Sequence, residues 1–151
     1  MQPTADSVDF KCPYPTSESI AMKATRIDHL VIAVQDLETA VATYTETLGL
    51  EKVREGEAPA LGLRNAFLKL GDTELELAAP LGEDTPIGKF LQKQGEGMYL
   101  LALEVDNLDD AIATYEAQGV RVNVGEGSDG KRRAFVSPRA THGVLLQLLE
   151  R

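Results

Sequence analysis

The 151 residues are 43% hydrophobic and 26% charged, an ordinary balance for a globular chain long enough to bury a core. The formal charge of −9 excludes nucleic acid and anionic membrane surfaces as partners, because a phosphate backbone repels an acidic surface, but it leaves room for a phosphate-bearing small ligand held by a local basic patch. One cysteine, Cys12, forms no internal disulfide or thiolate cluster and fits a reducing cytoplasm; no apolar run reaches the roughly 18 residues of a membrane span, and the N-terminus lacks a secretory plan.

Residues 1–24, rich in Pro, Ser, Thr and Asp, read as a flexible extension. Cys12 has nothing beside it to lower its pKa and is not a candidate nucleophile. His29 to Val34 reads as a buried strand, and Asp36 as the N-cap of a helix with an apolar stripe at Leu37, Ala40, Val41, Tyr44 and Leu48, closed by Gly49. Glu51 to Glu55 reads as a short edge strand, followed by a loop marked by Gly56, Pro59 and Gly62. Leu63 to Leu70 and Thr73 to Ala78 are strands joined at Gly71-Asp72.

A connector over 81–97 holds a short helix, Thr85 its cap and Pro86 its first residue, through Gln94. Then the plan repeats: a strand over 98–105, a helix over 107–118, a loop at Gly125 to Gly130, and strands near 120–124, 132–137 and 143–149. Val34 lies against Val105, Leu37 against Leu108 and Tyr44 against Tyr115, each 71 positions on, with Ala40, Ala42 and Thr43 matched as well. Matches this dense mark a duplicated unit. The expected architecture is α+β: two modules of strand, helix and three strands, over 25–80 and 98–151.

The same offset sets His29 opposite Leu100 and Glu76 opposite Gln147. Strand alternation puts Glu74 and Glu76 on one face, and Leu145, Gln147 and Leu149 on one face, with the strand around Gln147 otherwise apolar on both sides. A buried carboxylate or amide without a partner is costly. Each other, His29, water, a ligand or a metal could satisfy these groups, and a purely structural polar cluster is the plain alternative. His142, at the mouth of the last strand, lies about 16 Å from Gln147 at the usual strand rise and reads as a turn residue. Lys131, Arg132, Arg133 and Arg139 are the basic concentration, read either as a solvated face or as a phosphate contact.

Several stretches together resemble the vicinal oxygen chelate superfamily and, within it, methylmalonyl-CoA epimerases. They are Ile27-Asp28-His29, Leu48-Gly49-Leu50, Leu70-Gly71-Asp72-Thr73-Glu74-Leu75-Glu76-Leu77, Glu83 through Leu91, Gly95-Glu96-Gly97 and Gly143 through Leu148, covering about residues 26–150. The resemblance implies two βαβββ modules whose sheets form a half-open barrel around a cleft, a homodimer, an acyl-CoA ligand, and proton transfer alpha to a carbonyl or thioester. It also implies a divalent cation (Mg, Mn, Co or Zn) on four side chains. His29 and Glu76 fit two of those positions, while Leu100 stands where a histidine is expected and Gln147 where a carboxylate is expected. Asn65 replaces a further acid and Ser137 a frequent histidine.

The expected metal set is therefore His29, Glu76 and the Gln147 carbonyl, with a cation held weakly or not at all. Glu76 is the carboxylate left for catalysis; Asn65, Tyr99, Leu100, Gln147 and Arg139 are the candidate ligand contacts. Three readings stand: an epimerase-type enzyme acting through Glu76, a metal-free binding or sequestering module, and a metal-free enzyme recruiting Tyr99 or Glu104. Alternation predicts that Tyr99 faces away from the Leu100 side.

Overall fold

The computed structural model describes residues 22–127 and 129–151, so the expectations for the N-terminal extension and Cys12 lie outside the described residues. The chain runs β1 (Ala24–Ala33), α1 (Leu37–Ala42), β2 (Glu51–Ala58), β3 (Leu63–Leu70), β4 (Thr73–Pro80), α2 (Pro86–Gln94), β5 (Gly97–Val105), α3 (Leu108–Ala117), β6 (Val122–Glu126), β7 (Arg132–Val136) and β8 (Leu146–Leu149). All eight strands belong to one sheet, ordered β2-β3-β4-β1-β5-β8-β7-β6. The sheet is open, with β2 and β6 as its edges, and does not close into a barrel.

The two halves meet where β1 runs antiparallel to β5. Within each half the first strand lies parallel to the last: β1 beside β4, and β5 beside β8. The repeat is thus a repeat of pairing as well as of sequence. α1 covers one face of the first half, where Leu37 buries against Ala66, Leu68, Leu75 and Leu77. α3 covers the equivalent face of the second half through Leu108 and Ala111, against Val105, Ala134, Val136 and Leu148. On the opposite face, α2 packs Ile87 and Leu91 against Val31, Ala33, Ala78, Leu100 and Leu149. That face, closed at one end by α2, is where the polar side chains gather.

Three segments differ from the sequence reading. The first helix is α-helical only to Ala42 and continues over Thr43–Thr47 with the wider π winding. The Thr43 and Thr45 hydroxyls donate to the Thr39 and Val41 carbonyls, bonds that compete with the regular ladder. The wider turn rotates Leu48 off the apolar stripe, leaving it 64% exposed. β2 extends to Ala58 and contains Gly56, which pairs with Asn65 and does not begin a loop. All of β2 except Ala58 is exposed on both faces, so no apolar alternation announced its length. In the second half β6 takes in Gly125, and β8 begins only at Leu146, after a turn in which His142 adopts a φ of 57°.

Candidate functional site

Cross-strand register assigns the site. On one face, Glu74, His29, Ala102, Gln147 and Phe135 form a row across β4, β1, β5, β8 and β7. The next row, one strand alternation along, holds Phe67, Glu76, Val31 and Leu100. His29, Glu76, Leu100 and Gln147 therefore share a face, His29 and Gln147 being separated by the small side chain of Ala102. Residues two strands apart in such a row stand about 10 Å apart at the usual strand spacing, before sheet curvature.

Glu76 is 7% exposed. Its Oε1 accepts a hydrogen bond from Asn65 Nδ2 at 2.8 Å, and its Oε2 lies 3.4 Å from His29 Nε2. Burial pushes the Glu76 carboxyl above the ordinary glutamate range, against the opposing pull of Asn65, His29 and Arg54. On its other side, His29 Nδ1 sits 2.7 Å from Asp28 Oδ2, and Arg151 Nε donates to Asp28 Oδ1 at 2.6 Å. Burial alone would raise the Asp28 pKa, but the hydrogen bonds from Arg151 and His29 outweigh it and hold the carboxyl below its usual value. An ionised Asp28 only accepts, so the ring carries a proton on Nδ1. Nε2 then faces Glu76 as a lone pair in the neutral ring, or as an N–H in the imidazolium.

Asp28 and His29 are consecutive and would point to opposite faces of a regular strand. The register of β1 on β5 shifts between Ile27 and His29, and this bulge re-aims the pair so that the two side chains meet. A second bulge, between Val31 and Ile32 opposite Leu100 and Met98, leaves Tyr99 without a partner. Tyr99 accordingly does not turn away from the Leu100 side. Its ring packs edge-on against Phe90 of α2, centroids 5.1 Å apart, in the same apolar cluster as Leu100.

Of the residues expected from sequence, hydrogen bonds and ion pairs join His29, Glu76 and Asn65, and register adds Leu100 and Gln147. Arg139 lies apart, exposed on a short turn of 3₁₀ helix, Pro138–Ala140. Glu104 faces Arg26, whose Nε is 3.5 Å away. Of the rest of the basic concentration, Arg132 pairs with Asp109 and Arg133 with Asp129, both at 2.8 Å. Sequence reasoning missed Asp28, Arg151 and Arg54. Arg54 donates to Glu74 through its Nη1 and Nη2 and lies 3.7 Å over the Phe67 ring, which meets the His29 ring edge-on. A bulge hid Asp28, an edge strand without apolar periodicity hid Arg54, and Arg151 meets Asp28 across 123 residues of chain; the one available signal was the Asp28-His29 dipeptide itself.

The donor set falls short of a four-ligand divalent centre. His29 Nε2 and Glu76 Oε2 stand at a separation two ligands of one cation can adopt. However, Leu100 offers no lone pair and is buried, and Glu76 Oε1 is already taken by Asn65. Gln147 could add one neutral oxygen. Among the described residues, no three His, Cys, Asp or Glu side chains form a group able to hold a metal ion.

An open sheet built from two βαβββ halves, with polar side chains on the first and fourth strands of the first half sharing one face, defines the vicinal oxygen chelate class. A profile of the Glyoxalase/Bleomycin resistance protein/Dioxygenase superfamily matches residues 28–135. Human mitochondrial methylmalonyl-CoA epimerase is 39% identical over 127 residues, spanning 82% of this chain and 72% of that protein. The ethylmalonyl-CoA/methylmalonyl-CoA epimerase of Cereibacter sphaeroides is 38% identical, with 82% and 96% covered. The methylmalonyl-CoA epimerase of Mycobacterium tuberculosis superposes with a TM-score of 0.78 at 36% identity, over 84% of this chain and 88% of that one. A Streptomyces coelicolor epimerase variant in complex with 2-nitronate-propionyl-CoA superposes with a TM-score of 0.79 at 36% identity, over 85% and 95%. The chain belongs to this superfamily and, within it, to the family of the methylmalonyl-CoA epimerases.

Proposed function

We propose that the protein binds an acyl-CoA thioester in the cleft and moves a proton at the carbon alpha to the thioester carbonyl, with Glu76 as the base and no tightly held divalent cation. The observation that carries this is the Glu76 carboxylate, buried between Asn65 and His29 with its pKa pushed up by desolvation, as a proton acceptor for a weakly acidic C–H needs. Acyl-CoA as the ligand class rests on the relatives, which include an epimerase in complex with methylmalonyl-CoA.

In this reading Glu76 Oε2 takes the alpha proton, and the C–H electron pair passes into the enolate. The Gln147 amide, on the same face, supplies an N–H toward the developing oxyanion, and Asn65 holds the other Glu76 oxygen in place. The Asp28–His29 pair fixes the imidazole beside the base. Asn65 and Gln147 cannot act as a second base, so Glu76 returns the proton to the face it left. Exchange with solvent should therefore run faster than inversion of configuration.

The test is methylmalonyl-CoA incubated with the protein in deuterium oxide. We expect deuterium to enter the alpha carbon, inversion to lag behind it, and both to be lost in Glu76→Gln. Bound thioester with no deuterium uptake would instead favour the second reading, a sequestering module, for which the apolar Leu100 and uncharged Gln147 speak.

A further inference from the structure

The face of the sheet away from the polar site carries a cavity of about 430 Å³, between α1 and the chain entering β5. Ile32, Val34, Ala40 and Tyr44 form its apolar floor, Asp36 and Glu96 stand in its wall, and no lysine or arginine among the described residues lines it. Each carboxylate spends one oxygen on a backbone N–H, Asp36 on Thr39 at 2.7 Å and Glu96 on Gln35 at 2.9 Å. The duplicated half shows what such a cavity holds. The positions 71 residues on are Leu103, Val105, Ala111 and Tyr115, and there Met22 packs into the same cluster. Met22 comes from the segment that leads into β1, as Glu96 leads into β5. The grip on the incoming chain repeats as well. Lys23 N–H donates to Asp106 Oδ1 at 2.8 Å and Asp106 N–H to the Lys23 carbonyl at 3.1 Å, while Gln35, the counterpart of Asp106, holds Glu96. Glu96 turns its side chain to that bond and Gly97 has none, so neither supplies an apolar group to the first-half cavity.

We infer that this cavity seats an apolar side chain of methionine size from an extended, basic segment of a partner protein, in the way its repeat seats Met22. The apolar floor supplies affinity by removing such a side chain from water. The two carboxylates select its neighbours: a lysine or arginine beside the anchor meets Asp36 and Glu96, and an acidic segment is repelled. In the filled half the anchor is itself followed by a lysine, Lys23. The inference stands apart from the proton transfer read at Glu76, because the cavity lies on the α1 face of the sheet.

The test is a titration of the isotope-labelled full chain with the peptide Ile-Ala-Met-Lys-Ala-Thr, the sequence of residues 20–25, followed through backbone amide NMR shifts. The amides of Gln35, Thr39 and Tyr44 should shift as the peptide binds. Aspartate in place of the peptide's methionine should weaken binding about tenfold, the size expected for partial burial of one such side chain. Glu96→Gln keeps an acceptor for the Gln35 N–H but drops the charge, and should weaken binding about threefold and reduce its dependence on salt. Thr39→Trp, at an exposed helix position, should fill the cavity and abolish the shifts, with thermal melting confirming an intact fold. Absence of shifts at millimolar peptide, equal affinity for the methionine and aspartate peptides, or an affinity that either variant leaves unchanged overturns the inference. Shifts confined to Asp106, Ala111 and Tyr115 would mean that the peptide only displaces Met22, which also overturns it. Shifts at Gln35 and Tyr44 on concentrating the chain without peptide would make a second copy the occupant and overturn the partner segment.

Discussion

Glu76 Oε2 and His29 Nε2 face each other at 3.4 Å inside the sheet, while Asn65 and Asp28 hold the outer ends of the pair. Two acceptors at that distance repel unless a proton lies between them, and Glu76 is buried too deeply for water to relieve the charge. Glu76→Gln should therefore stabilise the fold at neutral pH by ~1 kcal/mol, its amide keeping Asn65 as donor and offering an N–H to the ring. The sign of the pH dependence follows from a folded pKa above the unfolded value. The folded state binds the extra proton, so the stability this carboxyl contributes is fully present below the ordinary glutamate range and is lost as pH rises through the raised pKa. Urea denaturation of both proteins across pH 4 to 8 should show the gap widening with pH; a constant gap would contradict it.

Arg151 and Asp28 behave oppositely. The Asp28 carboxyl is held low, so the stability it contributes is present above the usual aspartate pKa and is lost as pH falls through the depressed one. Arg151→Ala removes the 2.6 Å hydrogen bond and leaves a buried carboxylate with His29 as its remaining side-chain partner. Since the arginine is half exposed, a loss of about 1 kcal/mol is expected, below the usual range for hydrogen bonds to charged groups because solvent screens the pair. Chemical denaturation at pH 7 and at pH 3 should find the larger deficit at the higher pH.

Gly88 reverses a familiar rule. In an open helix, alanine for glycine stabilises by about 1 kcal/mol. Here a Cβ at position 88 would stand 2.5 Å from the Gly82 carbonyl oxygen and 2.7 Å from that of Glu83, both backbone atoms. Gly88→Ala should destabilise by about 1–3 kcal/mol, the usual cost of overpacking. Thermal unfolding gives the sign directly.

Leu100 and Gln147 can be turned back toward ligands. If His29, Glu76 and these two positions converge on one hollow, Leu100→His with Gln147→Glu should bind Mn²⁺ at least about tenfold tighter than the parent, since an imidazole is added and a neutral amide oxygen becomes a carboxylate. Electron paramagnetic resonance of free Mn²⁺ counts the bound ion without reference to activity. No gain would mean that the shared face does not bring the four side chains within reach of one ion.

The sequence by itself determined the duplication, the α+β class and the superfamily, because hydrophobic periodicity, caps and glycine stops are local signals and the repeat doubles each one. Thr85 before Pro86 marks a helix start wherever the chain folds: its hydroxyl oxygen accepts from the Gly88 N–H. The same reasoning set His29, Glu76, Leu100 and Gln147 in register, since a side-chain period of two fixes which residues can share a face. It failed where that period breaks. The bulges in the β1–β5 pairing turn Asp28 onto His29 and Tyr99 onto Phe90, and the π winding after Ala42 carries Leu48 into solvent. It was silent on Arg54 and Arg151, whose partners Glu74 and Asp28 lie on other strands. Tertiary structure alone decided these contacts, because a bulge and a cross-sheet ion pair depend on the neighbouring strand, which local pattern does not encode.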